Sequence, residues 1–461
     1  MIHSFKLNGT NIVLDVNSGA VHEFDDISYD VVKYYKRASE EELYDRLSKK
    51  YDKEQIEEAI SEIAELEKTG LLFSDDDFLP YLKDWEPKMN VKALCLNIAH
   101  DCNLRCSYCF ASKGGFGGER LLMSPEIGKK SIDLLIKLSG DRKNLEVDFF
   151  GGEPLLNFET VKEIIEYARK NEKANNKNFR FTITTNAVLL NEENMKYINE
   201  NMVNVVLSID GRESVNDKMR VHIDGTGTYK NILPKIKRMA EIRKQDKYYV
   251  RGTFTRENLD FSDDVLHLAN LGFRQISVEP VVCAKGTGYD IREEDLQKLY
   301  DEYEKLAVEY VKRRKGKKWF NFFHFMIDLE QGPCAAKRIR GCGSGSEYLS
   351  ITPEGDIYPC HQFVGDEDFK MGNVNEILQK NGKKGENYLN KEIQDLFIKP
   401  NVYTKEECSK CWAKFYCSGG CSANAYQFNK DLMKPYKIGC EIEKKRAECA
   451  LWIKTQEYKE D

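Results

Sequence analysis

Long apolar runs are missing from this chain of 461 residues. No stretch approaches the ~20 apolar residues of a membrane span. The N-terminus, Met1-Ile2-His3-Ser4-Phe5-Lys6, lacks the apolar segment of a secretory signal. An excess of positive charge is missing too, since the net charge of −6 argues against a general nucleic-acid surface. These absences lead us to expect a cytoplasmic protein with neither a membrane nor a nucleic-acid partner. Disulfides are rare in that compartment, so the 14 cysteines point to metal. The first hundred residues hold only Cys95, whereas nine cysteines lie from Cys334 onward. Apolar material is not short overall: at 41% it supports large cores and excludes general disorder. The length suits two to four domains.

Three thiols fall within one short stretch, Cys102-Asn103-Leu104-Arg105-Cys106-Ser107-Tyr108-Cys109-Phe110, with spacing C-x3-C-x2-C. A [4Fe–4S] cube takes four ligands. Three close cysteines would therefore hold three irons and leave one open to a substrate or cofactor. A zinc site or buried free thiols would draw on the same residues. The apolar run 93–98 reads as a strand, so the triplet leaves a strand end, where α/β barrels place their chemistry. The triplet followed by an aromatic residue resembles the first βα loop of the radical SAM superfamily. The resemblance implies that Cys102, Cys106 and Cys109 hold a [4Fe–4S] cluster whose open iron chelates S-adenosyl-L-methionine. An external one-electron reductant would then trigger cleavage to a 5′-deoxyadenosyl radical. It also implies that Tyr108 contacts the adenine.

From about 91 to 280, strand and helix patterns alternate. The strand candidates are 93–98, 147–150, 181–184, 203–209, 250–254 and 276–278, with amphipathic segments such as 125–138 and 161–169 between them. Runs buried on both faces and separated by helices indicate a parallel sheet. The fold class is α/β, and six βα units suit the partial (β/α)6 barrel of the radical SAM family. Motifs at the expected strand ends extend the resemblance. It implies that Gly151-Gly152-Glu153-Pro154 holds the methionyl amino group and that Ser208-Ile209-Asp210-Gly211 contacts the ribose. Arg220 would pair with the carboxylate. Thr185-Asn186 and Glu279 would stand near the same site. Each motif alone is often only a turn, and their order behind the triplet is what makes the set specific.

The N-terminal 78 residues read as a separate unit. Asn8-Gly9 joins two short strands as a hairpin turn, and a third strand follows near 20–24. Three helical patterns come next: Val31, Val32 and Tyr35; then Leu43 and Leu47 after a Ser39-Glu40-Glu41-Glu42 capping box; then Ile56, Ile60, Ile63 and Leu66, closed by Gly70. This winged-helix arrangement resembles the RiPP recognition element, which binds the leader of a ribosomal precursor peptide by β-augmentation. A DNA-binding wing is disfavoured by Asp75-Asp76-Asp77 and by the lack of a basic recognition helix. Residues 79–90 read as a linker, 91–290 as the barrel and 291–333 as a bridging helical region. Its Lys312-Arg313-Arg314-Lys315 run reads as a solvated helix end.

Residues 334–461 carry an ordered set of cysteines: Cys342, then Gly355-x4-Cys360, then Cys408-x2-Cys411-x5-Cys417-x3-Cys421, then Cys440. The set resembles the seven-cysteine SPASM domain, which holds two auxiliary [4Fe–4S] clusters, making three clusters in all. The family pattern implies Cys342, Cys360 and Cys421 for the first and Cys408, Cys411, Cys417 and Cys440 for the second. Seven ligands leave one vertex for a substrate thiolate or for Cys334. Cys95, Cys283 and Cys449 read as small buried hydrophobes. The whole chain is similar to the maturases of six-cysteine (SCIFF) peptides, relatives of the sactipeptide synthases. That similarity implies thioether crosslinking of a cysteine-rich precursor peptide bound through its leader. A sulfatase-maturing dehydrogenase and a zinc-bearing peptide-binding scaffold are the alternatives.

Overall fold

The computed structural model describes residues 1–82, 90–283, 286–314, 316–330, 334–379 and 389–459. Most of the expected linker (83–89) and Lys315 lie outside the described residues, as do 331–333 of the bridging region.

Strands β1 (Ile2–Leu7), β2 (Thr10–Asp15) and β3 (Val21–Phe24) form an antiparallel sheet in that order. Asn8 and Gly9 carry the β1–β2 turn with φ of 47° and 79°, the left-handed conformation that a two-residue hairpin demands. Helices α1 (Asp26–Tyr34), α2 (Glu40–Leu47) and α3 (Lys53–Lys68) follow. Ser39 and Glu42 form the expected capping box, and Gly70 leaves α3 at φ 75°. Val13, Val31, Leu43, Ile56 and Ile63 make this unit's own core. All six residues of β2 are buried, however. Ile12 and Leu14 on its other face join the main core of the protein together with Phe5 and Leu7. The N-terminal sheet is thus packed between its own helices and the body of the chain.

The main sheet has ten strands. Six run parallel and in sequence order: β4 (Ala93–Ala99), β5 (Asn144–Gly151), β6 (Asn178–Thr185), β7 (Asn204–Ser208), β8 (Tyr248–Phe254) and β9 (Gln275–Pro280). Helices connect them, for example Pro125–Leu138, which starts on a Ser124 cap with proline in its first turn. The sheet continues past both ends of this set. Beyond β9 lies β10 (Asn321–Phe322) from the bridging region, also parallel. Beyond β4 lie β11 (Tyr348–Ile351), parallel to it, then β12 (Asp356–Tyr358) and β13 (Gly372–Asn373), both antiparallel. The cysteine-rich region therefore begins as an extension of the sheet, covering an edge that would otherwise expose unpaired backbone groups.

The expectation of strands buried on both faces holds only for β4, where every residue is buried. Strands β5 to β8 alternate instead. Their apolar side chains share one face and pack across neighbouring strands, as in the stacked rings of Phe149 and Phe181 at 5.8 Å. The opposite face carries Thr184, Arg251 and Thr253, because it borders a cavity rather than a filled core. We expect Phe181→Ala to cost about 3–5 kcal/mol, measured as a fall in the denaturant midpoint. The long charged helix Leu296–Arg314 packs against the C-terminal helix Lys437–Tyr458, and Arg314 at its end pairs with Glu457 at 2.8 Å. Among the described residues no helix is long and apolar enough to cross a membrane.

Candidate active site

The inward, C-terminal ends of the parallel strands border a cavity open to solvent, about 1130 Å³ with its mouth included. Cys102, Cys106, Tyr108 and Cys109 line it from the loop after β4; Gly151, Gly152, Thr185, Asn186, Ser208 and Glu279 line it from the other strand ends, and Arg220 from the end of the helix Glu213–Met219. The cysteine loop is fastened by backbone bonds to the end of the helix Glu213–Met219 that follows β7, Arg105 N to Val221 O (2.8 Å) and Ser107 N to Met219 O (2.9 Å). The two glycines after β5 are there for contact. A Cβ on Gly152 would lie 2.0 Å from Asp101 O, and one on Gly151 would lie 2.5 Å from Ala99 O. Only hydrogen side chains let β5 press against the base of the cysteine loop.

Two of the sequence-predicted residues stand behind the wall. Glu153 is fully buried. Its carboxylate accepts from Thr185 Oγ1 (2.8 Å), Asn186 N (2.8 Å) and Leu155 N (3.0 Å), so it ties the end of β5 to the end of β6. Burial pushes its carboxyl up to about 7, against the pull of these donors. Asp210 is also fully buried. It accepts from the Tyr108 hydroxyl, with 2.8 and 2.9 Å to its two oxygens, while Arg220 Nη1 donates to that hydroxyl at 2.7 Å. Asp210, Tyr108 and Arg220 thus form one braced unit that aims the arginine into the cavity. The Arg220 Nε is buried without a partner, a donor that fits a carboxylate-bearing ligand.

The donor set fits iron–sulfur ligation. Burial raises the Cys102 thiol to about 12 and the Cys106 thiol to about 11, so metal binding there displaces protons. Among the described residues no three His, Cys, Asp or Glu side chains converge on a single-ion site. The C-terminal cysteines fall into two groups. Burial, then the charges of Cys342 and Cys421, raises the Cys360 thiol. Burial, then Cys417, Cys408 and Cys411, raises the Cys440 thiol to about 12. Cys334 is exposed at the start of the short helix Ala335–Arg340. Cys95 and Cys449 are buried as expected. Cys283 is not: it is half-buried and accepts from the Thr287 hydroxyl at 3.3 Å, because its loop lies at the cavity rim rather than in the core.

Sequence reasoning missed Arg251, Thr253, Phe150 and His361, all of which line the cavity. The alternation within β5 and β8 could have signalled the first three; His361 is marked only by its place after Cys360. Arg251 Nη2 donates to Glu279 at 2.6 Å. Behind Glu279, Ser277 Oγ is 3.3 Å from its carboxylate and 3.2 Å from His324 Nε2. His324 Nδ1 faces Arg446 Nη1 at 3.0 Å. Arginine can only donate, so Nδ1 accepts, Nε2–H donates to Ser277, and Ser277 donates to Glu279. Burial would raise the Glu279 carboxyl, but Arg251, with the hydrogen bond from Ser277, holds it below its ordinary value. It stands in the cavity wall as a carboxylate.

Residues 96–265 match the model of the radical SAM superfamily, and residues 342–412 match SPASM, an iron-sulfur cluster-binding domain. The chain therefore carries a stretch that matches a radical SAM domain followed by one that matches an SPASM domain, a pairing that implies S-adenosylmethionine and [4Fe–4S] clusters. It is 23% identical to the radical SAM cyclopropyl synthase TigE of Paramaledivibacter caminithermalis, covering 92% of this chain and 89% of that protein. It is 25% identical to the cysteine-type anaerobic sulfatase-maturating enzyme of Clostridium novyi, over 70% and 86% of the two chains. The fold is similar to that of Streptococcus suis SuiB bound to its precursor peptide SuiA, with TM-score 0.53, 18% identity and coverage of 93% and 96%.

Proposed function

We propose that this protein forms thioether crosslinks, cysteine sulfur to carbon, in a cysteine-rich ribosomal precursor peptide. The observation that carries the reading is a shared cavity. The triplet loop lines one side, and His361 and Gln362, which directly follow the auxiliary ligand Cys360, line another. A peptide sulfur held at the first auxiliary site would thus border the space in which hydrogen abstraction takes place. When bound, S-adenosylmethionine and the clusters supply a carbon-centred radical and an acceptor for the electron released as carbon bonds to sulfur. Three clusters are assigned: Cys102, Cys106 and Cys109 for the first; Cys342, Cys360 and Cys421 for one auxiliary cluster; Cys408, Cys411, Cys417 and Cys440 for the other. The chain's own residues bind and orient. Arg220, aimed by Tyr108 and Asp210, receives the cofactor carboxylate. Gly151 and Gly152 would admit its backbone-sized end, Ser208 would stand at the ribose, and Glu279, kept ionised by Arg251, holds a negative charge in the cavity wall beside them.

Residues 1–78 are read as a winged-helix leader-binding unit. Strand β3 is an edge of its sheet, the geometry that strand addition requires. Intact mass of the peptide after turnover tests the reaction. Loss of two hydrogens with one thiol consumed per crosslink is the expected result. Thiol loss with a new aldehyde would instead mean formylglycine. Loss of two hydrogens with every thiol intact would mean carbon–carbon ring closure of the kind for which TigE is named. Unchanged peptide beside stoichiometric zinc would favour the scaffold.

A further inference from the structure

The N-terminal unit and the second auxiliary cysteine group meet over one short loop. Trp412, Lys414 and Phe415 lie between Cys411 and Cys417, and each touches residues 1–78. The His3 ring of β1 stacks on Trp412 at 3.8 Å with 3° between planes. Its Nε2 lies 3.0 Å from Glu448 on the helix that also carries Cys440. After α3, Asp76 pairs with Lys414 Nζ at 3.0 Å and accepts from the Tyr403 hydroxyl at 2.8 Å. Phe78 packs on Phe415 at 5.9 Å between centroids.

Lys414 decides the energetics. It is only 4% exposed, and its ammonium lies between the rings of Tyr403 and Phe415, 4.8 Å from each centroid. A buried cation that loses its carboxylate partner is strongly destabilised and must move toward water. Its backbone N–H bonds to Cys411 O at 3.3 Å, and its carbonyl accepts from Ser418 N at 3.0 Å, just past Cys417. Movement of Lys414 therefore displaces the backbone that holds two ligands.

We propose that the N-terminal unit is a structural part of the second auxiliary cluster's site, with Asp76 and His3 as positioning residues for the loop 411–417. The proposal rests on the assignment of Cys408, Cys411, Cys417 and Cys440 to one cluster. It implies that the peptide-docking unit and this cluster are not separable: removing residues 1–78 exposes Lys414 and Trp412 and releases the ligand loop.

The test uses the full chain with Cys102, Cys106 and Cys109 replaced by alanine, so that only auxiliary signals remain. Iron content, the electron paramagnetic resonance spectrum of the reduced protein and iron release to a chelator are compared for Asp76→Asn, Asp76→Glu, His3→Ala and His3→Phe. Asp76→Asn should release iron on the order of tenfold faster, involving about four irons per chain, with shifted g values. Asp76→Glu should restore the parent behaviour. His3→Ala should act in the same direction, and His3→Phe, which keeps the stack, should restore it. If Asp76→Asn does not fold, His3→Ala carries the test, and the paired apolar variant Asp76→Leu/Lys414→Met, which leaves no unpaired buried charge, should keep the parent release rate. Parent-like iron, g values and release rates in folded Asp76→Asn or His3→Ala would overturn the proposal. So would a Cys408→Ser control that keeps the signal Asp76→Asn perturbs, because the cluster would then not sit on these ligands. No arm contains peptide, so failure here leaves the thioether reading to its own mass measurement.

Discussion

Replacing Cys102, Cys106 and Cys109 together with alanine is expected to abolish 5′-deoxyadenosine formation and leave about eight irons per chain, two cubes of the three. The triplet is physically separate from the other cysteines. It sits on the loop after β4, at one side of the cavity, and that loop is held by backbone bonds to residues 219 and 221 rather than by the C-terminal region. The auxiliary thiols belong to the C-terminal segments that flank and follow β11, from Cys342 onward. Loss of the triplet should therefore leave their ligand sets intact. Iron analysis and product chromatography on the same preparation check both halves. Persistent 5′-deoxyadenosine would remove the triplet from its assigned role, and loss of nearly all iron would mean that the three groups do not assemble independently.

The single substitution Gly152→Ala is expected to reduce S-adenosylmethionine cleavage on the order of a hundredfold, the cost of displacing a reacting group by about 1 Å. The new methyl would meet Asp101 O at 2.0 Å and Asp101 C at 2.6 Å. Both are backbone atoms of the residue before Cys102, and Gly152 N already bonds to Ala99 O at 2.7 Å. Neither strand end can yield without moving the triplet. Gly118→Ala provides the control: its methyl would meet only Gly115 O at 3.8 Å, and turnover should stay near the parent value. Cofactor affinity and turnover measured on both variants separate displacement of the site from general damage. Parent-like activity in Gly152→Ala would show that the close approach is not needed.

The N-terminal unit shows how a sequence reading can find the pieces yet miss how they are joined. Asn8-Gly9, the Ser39 capping box and Gly70 mark its turns and helices through interactions a few residues apart, and each is found where expected. Nothing near His3 or Asp76 in sequence announces that their partners are Trp412 and Lys414, more than three hundred positions on. A reading of residues 1–78 as a separate unit follows naturally from the local pattern, and the buried outer face of β2 ties that unit to the body of the chain. The cavity wall divides in the same way. Gly151, Gly152 and Arg220 stand out by motif, whereas His361 lines the cavity because β11 pairs with β4 and turns the segment after Cys360 inward.

The sequence by itself determined the elements whose physics is local: the C-x3-C-x2-C spacing, the helix caps and turns, the alternation of strand and helix, and the order of the C-terminal cysteines. Tertiary structure alone decided which of these meet. It joined β10 and β11 to opposite ends of the parallel set, placed Glu153 and Asp210 behind the cavity wall as braces and ran a hydrogen-bond chain from Arg446 to Glu279. It also closed the N-terminal unit over the loop 411–417. The reason is range. Backbone propensity and ligand spacing act across a few residues and leave a mark in the sequence, whereas pairing between distant surfaces depends on shape and charge that exist only once both partners are folded.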